Sequence, residues 1–148
     1  MRPSWDRYFL DLATLASTRS KDRSTKVGAV IVDPKRNVVS TGYNGFPAGI
    51  DDDVEARHER PAKYLYTCHA EENAILSAAR RGVAVEGCTI YATHQPCSRC
   101  ARGIVQVGIV RVVVPVDGCI PTMVEDLKVG GEIMGEAGVR VLVMREDE

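Results

Sequence analysis

No stretch of the 148-residue chain approaches the roughly eighteen consecutive apolar residues that a membrane-spanning helix needs. The opening "MRPSWDRYF" lacks the basic-then-apolar order of a secretory signal, so a cytoplasmic location is expected. Neither sign of charge prevails: 19 Lys and Arg stand against 20 Asp and Glu, a formal net charge of −1. That argues against a broad basic face wrapped by nucleic acid, although a local phosphate pocket stays open. There is no internal repeat and no linker-like stretch. With 45% hydrophobic residues and mixed charges, the composition argues against disorder. A single domain over 1–148 with its own core is expected. A cysteine framework is missing too. Cys68, Cys88, Cys97, Cys100 and Cys119 form an odd, scattered set. In a reducing compartment, Cys97 and Cys100 then read as metal ligands or redox thiols.

The patterning alternates late strands with helices. Ser4 is placed to cap a helix running to about Thr18, with Trp5, Phe9, Leu12, Ala13 and Ala16 at helical spacing. "VGAVIV" (27–32) and "VVSTGYN" (38–44) predict a hairpin around the turn-forming "DPKRN". Positions 45–66 predict an irregular surface loop, long enough to suggest a role of its own. A helix is expected from Cys68 to Arg81, ended by Gly82. Then come a strand over 88–93, a helix from Cys97 to Gly108, a strand over 109–116, a helix over 121–137 and a strand over 139–144. Gly130 and Gly131 weaken the case for the last helix. The late strands are apolar on both faces, which implies a sheet covered on two sides.

Two short motifs carry the chemistry. "TCHAEENAI" (67–75) holds a His–x–Glu at a helix start, and "QPCSRC" (95–100) holds a Cys–x–x–Cys at another. Either alone is weak: a Cys–x–x–Cys at a strand-to-helix turn is also the redox arrangement. Together, with Pro96 preceding the cysteines, they form the zinc deaminase pattern. His69, Cys97 and Cys100 would supply three ligands and leave a fourth position for water. Helix starts favour negative charge and so favour the thiolates a metal requires. Glu71 is then the acid–base group. A carboxylate beside that water can take its proton and redeliver protons to the reacting ring and the leaving amine. The reaction implied is hydrolytic deamination with release of ammonia.

On these residues the chain resembles the cytidine/deoxycytidylate deaminase superfamily, from about Trp5 to Val143. "RSKDRSTKVGAVIV" (19–32), "GYNGFPAG" (42–49) and "KYLYTCHAEENAI" (63–75) extend the likeness, and the Gly–Tyr–Asn–Gly segment is similar to the dCMP branch. The resemblance implies an α/β three-layer sandwich with a five-stranded mixed sheet, order 2-1-3-4-5, and helices on both faces. It implies one catalytic Zn²⁺ per chain, conversion of dCMP to dUMP, hexameric assembly, and dCTP and dTTP as effectors. It places Asn44 against the nucleotide sugar, Ser24 and Lys26 in the phosphate-binding segment, and Ala70 against the nucleotide. Arg19, Lys21, Arg23 and Lys26 could add phosphate charge, helped by backbone donors near Gly28.

The likeness weakens in places. Gln95 stands where the dCMP branch more often has an apolar or aromatic residue. "VVVPVDGCIPTM" (112–123) replaces a segment bearing aspartate and tyrosine; Asp117 matches the aspartate, and no tyrosine matches the other. His58 matches a ligand of a second, structural zinc found in some relatives, but its cysteine partners are missing. His58 is therefore expected in a surface loop, and Cys68 in packing. A tRNA adenosine deaminase, a free-base deaminase acting on guanine or cytosine, and a zinc-bearing nucleotide sensor without chemistry remain alternatives. Glu71 argues against the last, because a sensor needs the ligands and has no use for an acid–base group.

Overall fold

Ser4 caps the first helix by accepting from the Arg7 N–H at 3.1 Å, and α1 (Trp5–Ser17) follows. β1 (Gly28–Val32) and β2 (Val38–Tyr43) form the expected antiparallel hairpin. The segment between β2 and the next long helix is irregular apart from a 3₁₀ turn at Glu55–His58 and the four-residue α2 (Lys63–Tyr66). Then come α3 (Ala70–Arg80), β3 (Thr89–Ala92), α4 (Ser98–Gln106), β4 (Arg111–Pro115), α5 (Val124–Glu136) and β5 (Arg140–Met144). This is a computed structural model describing residues 1–148.

The five strands form one sheet in the order β2-β1-β3-β4-β5. β1 is antiparallel to both neighbours, while β3, β4 and β5 run parallel. Period-two alternation sorts the side chains into two cores. Ala29, Ile31, Ile90, Ala92, Val112 and Val114 pack against α3, α4 and α5. Val30, Val32, Tyr91 and Val113 pack against Phe9, Leu10 and Ala13 of α1. Helices therefore cover both faces, as expected. On the α1 side the Arg111 guanidinium makes two bonds to Asp6 at 3.0 and 2.6 Å, and the Tyr91 hydroxyl donates to the same carboxylate at 2.7 Å. No helix is long and apolar enough to cross a membrane.

This topology positions the site. β1 starts at the edge of the sheet where β2, β3 and β4 end, so the connections leading into β1 and out of the other three emerge side by side. Two glycines let helices close onto that edge. A Cβ at Gly42 would lie 2.3 Å from the Ala70 carbonyl oxygen, so only glycine lets the start of α3 press on β2. A Cβ at Gly130 would lie 2.9 Å from the Pro96 carbonyl oxygen and 3.2 Å from the Cys97 carbonyl carbon. The glycine that weakens α5 on propensity is thus what admits it against the cysteine loop. Asp126 of α5 secures the contact, accepting from the Ser98 N–H at 2.7 Å and its hydroxyl at 2.9 Å.

Candidate active site

His69 is the N-cap residue of α3 and Cys97 that of α4, with Cys100 in the first turn of the same helix. The Cys97 sulfur caps its helix by accepting from the Cys100 N–H at 3.5 Å. His69 Nδ1 lies 3.3 Å from Cys97 Sγ and 3.4 Å from Cys100 Sγ, and the three ligand atoms all fall within 4.8 Å of one another. Tetrahedral zinc with bonds of about 2.0–2.1 Å to nitrogen and about 2.3 Å to sulfur sets an N···S separation of about 3.6 Å. The donor set fits that ion in kind and in spacing. Hydrogen bonding from Cys100 holds the Cys97 thiol down to about 4, and the reciprocal bond pushes Cys100 up. Leu127 and Met123 wall the sulfurs with apolar surface.

Glu71 sits on the first turn of α3, 4% exposed. Burial pushes its carboxyl up to about 7, against hydrogen bonding from its own backbone N–H and the field of His69. Ala70, one residue earlier, is fully buried and also lines the cavity. No side chain caps α3, which leaves the Ala70 N–H free to donate to a ligand oxygen.

These groups open onto a cavity of about 510 Å³, within the ~300–1,000 Å³ usual for small-molecule sites. Its wall also carries Ser24 and Asn44. The Asn44 amide is partly committed. Its Oδ1 accepts from the Val27 N–H at 2.9 Å and its Nδ2 donates to the Thr25 carbonyl at 2.8 Å. One N–H and one lone pair remain for a ligand. The backbone donor near Gly28 is spent, since the Gly28 N–H bonds Thr93 Oγ1 at 3.0 Å.

The structure does not bring Lys26, Arg19, Lys21 or Arg23 to this cavity. Lys26 is exposed between the lining residues Thr25 and Val27, because an extended chain turns alternate side chains to opposite sides. Lys21 pairs with Asp52 at 2.7 Å, and Arg23 pairs with Glu55, so the acidic loop neutralises them. Arg19 and Lys21 line a smaller hollow instead, beside His58 and Phe46. His58 stacks on Phe46 with ring centroids 4.8 Å apart. Cys68 is half-buried, and its backbone bridges Gly45.

The cavity's cations come from elsewhere: Arg60, Lys63 and Arg99. Arg60 donates to Ser24 Oγ at 3.2 Å and to the Tyr64 hydroxyl at 2.6 Å, keeping the rest of its five N–H groups. Lys63 forms a largely buried pair with Asp22 at 3.3 Å. Burial alone would raise the Asp22 carboxyl, but the Thr25 and Ser24 N–H groups and Lys63 outweigh it and hold it low. Arg99 pairs with Glu72 at 3.0 Å across α3 and α4. His94 and Gln95 line the opening between β3 and Cys97. Sequence reasoning missed Arg60 and Lys63. Their signal was the basic residues flanking Pro61, directly before the His–x–Glu helix.

A buried glutamate beside a His–Cys–Cys donor set, at the edge of a 2-1-3-4-5 sheet, defines a metal-dependent hydrolytic deaminase site. The family model for the cytidine and deoxycytidylate deaminase zinc-binding region matches residues 3–116, and the chain belongs to this family. It is 43% identical over 143 residues to an uncharacterised deaminase from the region 3′ of luxG in Aliivibrio fischeri, covering 95% of this chain and 94% of that one. It is 42% identical over 114 residues to human deoxycytidylate deaminase, covering 74% of this chain and 63% of that protein's length. Among solved structures, the dCMP deaminase of cyanophage S-TIM5 in complex with dCMP and dUMP superposes with a TM-score of 0.79. Its sequence is 26% identical, and the match spans 97% of this chain and 99% of that one.

Proposed function

We propose that the chain deaminates dCMP to dUMP, adding water across the ring C–NH₂ carbon and releasing ammonia. One observation carries the substrate: Arg60, which has no carboxylate partner, shares a single cavity with Glu71 and the His–Cys–Cys group, beside the Lys63–Asp22 pair. A free base offers those cations nothing to bind, whereas a 5′-phosphate does. The human and cyanophage relatives named for dCMP support the same substrate.

His69, Cys97 and Cys100 would hold the zinc, which supplies Lewis acidity and lowers the pKa of a water in the open fourth position. Glu71 would take a proton from the attacking water as its oxygen bonds the ring carbon. With its carboxyl raised to about 7 by burial, Glu71 accepts and gives up protons near neutral pH. It passes that proton to the ring nitrogen beside that carbon. It then takes the proton of the hydroxyl now on the carbon and hands it to the amine, so that the carbonyl forms as the C–N bond breaks and ammonia leaves. In this reading the Ala70 N–H holds a ring oxygen and Asn44 holds the sugar. Ser24 accepts from Arg60 and so steadies it for the phosphate.

A cytoplasmic location and homo-oligomeric assembly belong to the same proposal. Leu15 on α1 is 64% exposed, and Val141, Leu142 and Val143 of the edge strand β5 are also exposed, surfaces that a second copy could cover. dCTP and dTTP are proposed effectors by resemblance to the dCMP branch.

The test is ammonia release from dCMP, deoxycytidine, cytosine, dCTP, guanine and a tRNA anticodon stem-loop, each with and without dCTP as effector. Selective turnover of dCMP is expected. Faster turnover of a free base or of the RNA overturns the substrate. Arg60→Ala should raise KM for dCMP roughly ten- to a hundredfold, the loss of one charged hydrogen bond, and leave deoxycytidine unaffected.

A further inference from the structure

His94 is half-buried on the cavity wall, three residues before the ligand Cys97, and the chemistry above gives it no task. Its Nδ1 lies 2.8 Å from Thr93 Oγ1. That hydroxyl already accepts from the Gly28 N–H, and Nδ1 is the one acceptor within reach of its proton. In the tautomer that also satisfies this hydroxyl's own proton, Thr93 donates to Nδ1 and the imidazole carries its hydrogen on Nε2. Burial, opposed by Asp117, lowers the ring's pKa and keeps it neutral. Nε2 has no hydrogen-bond partner in the chain, and the protein buries no unpartnered side-chain nitrogen or oxygen. Nε2–H is accordingly an accessible donor on a cavity-lining residue, with its tautomer set from behind.

The sheet decides what faces it. Asn44 follows β2 and His94 follows β3, and β1 runs between those strands. Asn44 is tied to the Val27 N–H and Thr93 to the adjacent Gly28 N–H. The two side chains thus rise from backbones about 10 Å apart, two strand spacings. A hydroxyl bonded on both sides, at about 2.8 Å each, spans much of that gap once the side chains reach inward. Asn44 keeps one N–H and one lone pair, and His94 keeps one N–H. A hydroxyl between them can accept from His94 and donate to the Asn44 lone pair; a carbonyl or a phosphate oxygen can only accept and leaves that lone pair unmatched.

We infer that His94 is a specificity residue for the sugar, its Nε2–H donating to the nucleotide 3′-hydroxyl while that hydroxyl donates to Asn44 Oδ1. This rests on dCMP being the substrate. The test compares dCMP with 2′,3′-dideoxycytidine 5′-monophosphate on the wild type, His94→Leu and His94→Gln. Zinc content and melting temperature are recorded for each protein. On the wild type, loss of the hydroxyl should lower kcat/KM at least tenfold. On His94→Leu that penalty should shrink by about tenfold, because the donor is already gone, and His94→Gln, which keeps an N–H, should restore most of it. A penalty equal in wild type and His94→Leu overturns the assignment while leaving the deaminase reading intact. No turnover of dCMP by the wild type overturns both. Should His94→Leu fold poorly, calorimetric binding of dUMP against its 3′-deoxy form to wild type and His94→Gln decides instead. Equal affinity of the wild type for the two ligands refutes the contact.

Discussion

Gly130→Ala and Gly131→Ala test whether α5 seats the metal loop. Both glycines lie inside the helix Val124–Glu136, and each replacement should gain about 1 kcal/mol of helix preference. Gly131 has open space around a new Cβ, so Gly131→Ala keeps that gain. At Gly130 the Cβ meets backbone: the Pro96 oxygen at 2.9 Å, and the Cys97 carbonyl carbon and oxygen at 3.2 and 3.3 Å. No side chain can rotate away from it. Overpacking of this kind costs about 1–3 kcal/mol. The preference gain is common to both variants, so their difference isolates that cost. At about 2–4 °C per kcal/mol for a chain of this size, Gly130→Ala should melt about 2–12 °C below Gly131→Ala. Because the displaced backbone bears Cys97, it should also lose zinc to a chelator faster. The assay is a melting curve on each zinc-loaded variant, followed by chelator competition. Equal melting temperatures with equal zinc retention would refute the claim that this contact positions the site.

Glu71→Gln removes the proton carrier and keeps the shape. kcat should fall about 10²–10⁴-fold with zinc content unchanged, and near-native turnover would contradict the acid–base role. Cys97→Ser replaces a soft ligand with a hydroxyl that still caps α4, so zinc affinity should drop while helicity stays; undiminished metal affinity measured by competition argues against the ligand assignment. Asp6→Asn tests the pairing on the far face of the sheet. Arg111, the larger cause, and Tyr91 hold the Asp6 carboxyl below its ordinary 3.8 against the effect of burial. A folded-state pKa lowered in this way contributes stability above the unfolded value and loses it as pH falls through the folded one. Wild type should therefore exceed the variant by about 1–3 kcal/mol near neutrality, with the gap closing below about pH 4. A gap that persists at lower pH would mean that packing, not charge, is responsible.

The fold was legible wherever a period and a terminator coincided. Ser4 before an amphipathic run marked α1, Gly82 marked the end of α3, and short apolar, β-branched runs marked β1 through β5. The 121–137 prediction ran one 3₁₀ turn long, because Pro121–Met123 precedes the helix proper. The doubt attached to Gly130 shows the reach of propensity. A mid-helix glycine is unfavourable locally, and only the tertiary contact with Pro96 and Cys97 reveals why this helix carries one. The 45–66 region had no period to read. Its order comes from long-range pairs such as Lys21–Asp52 and the Phe46–His58 stack.

The site divides the same way, and the division is physical. His69, Glu71, Cys97 and Cys100 were readable because each lies at or just inside a helix start, where short spacing in sequence becomes proximity in space. The other groups of the cavity wall lie on separate connections that only the strand order unites. Charge near a motif misled for this reason. "RSKDRSTK" looked like phosphate-binding charge, yet Lys26 turns outward by simple alternation and Lys21 is matched to Asp52. Arg60 and Lys63 reach the cavity instead, because the run into α3 must cross the same sheet edge to deliver His69. A cation's distance in sequence from the catalytic motif thus says little here. What counts is whether its connection leaves the sheet at the edge where β1 begins and β2, β3 and β4 end. By that criterion the residues after β3, His94 and Gln95, are as much a part of the cavity wall as the cysteines they precede.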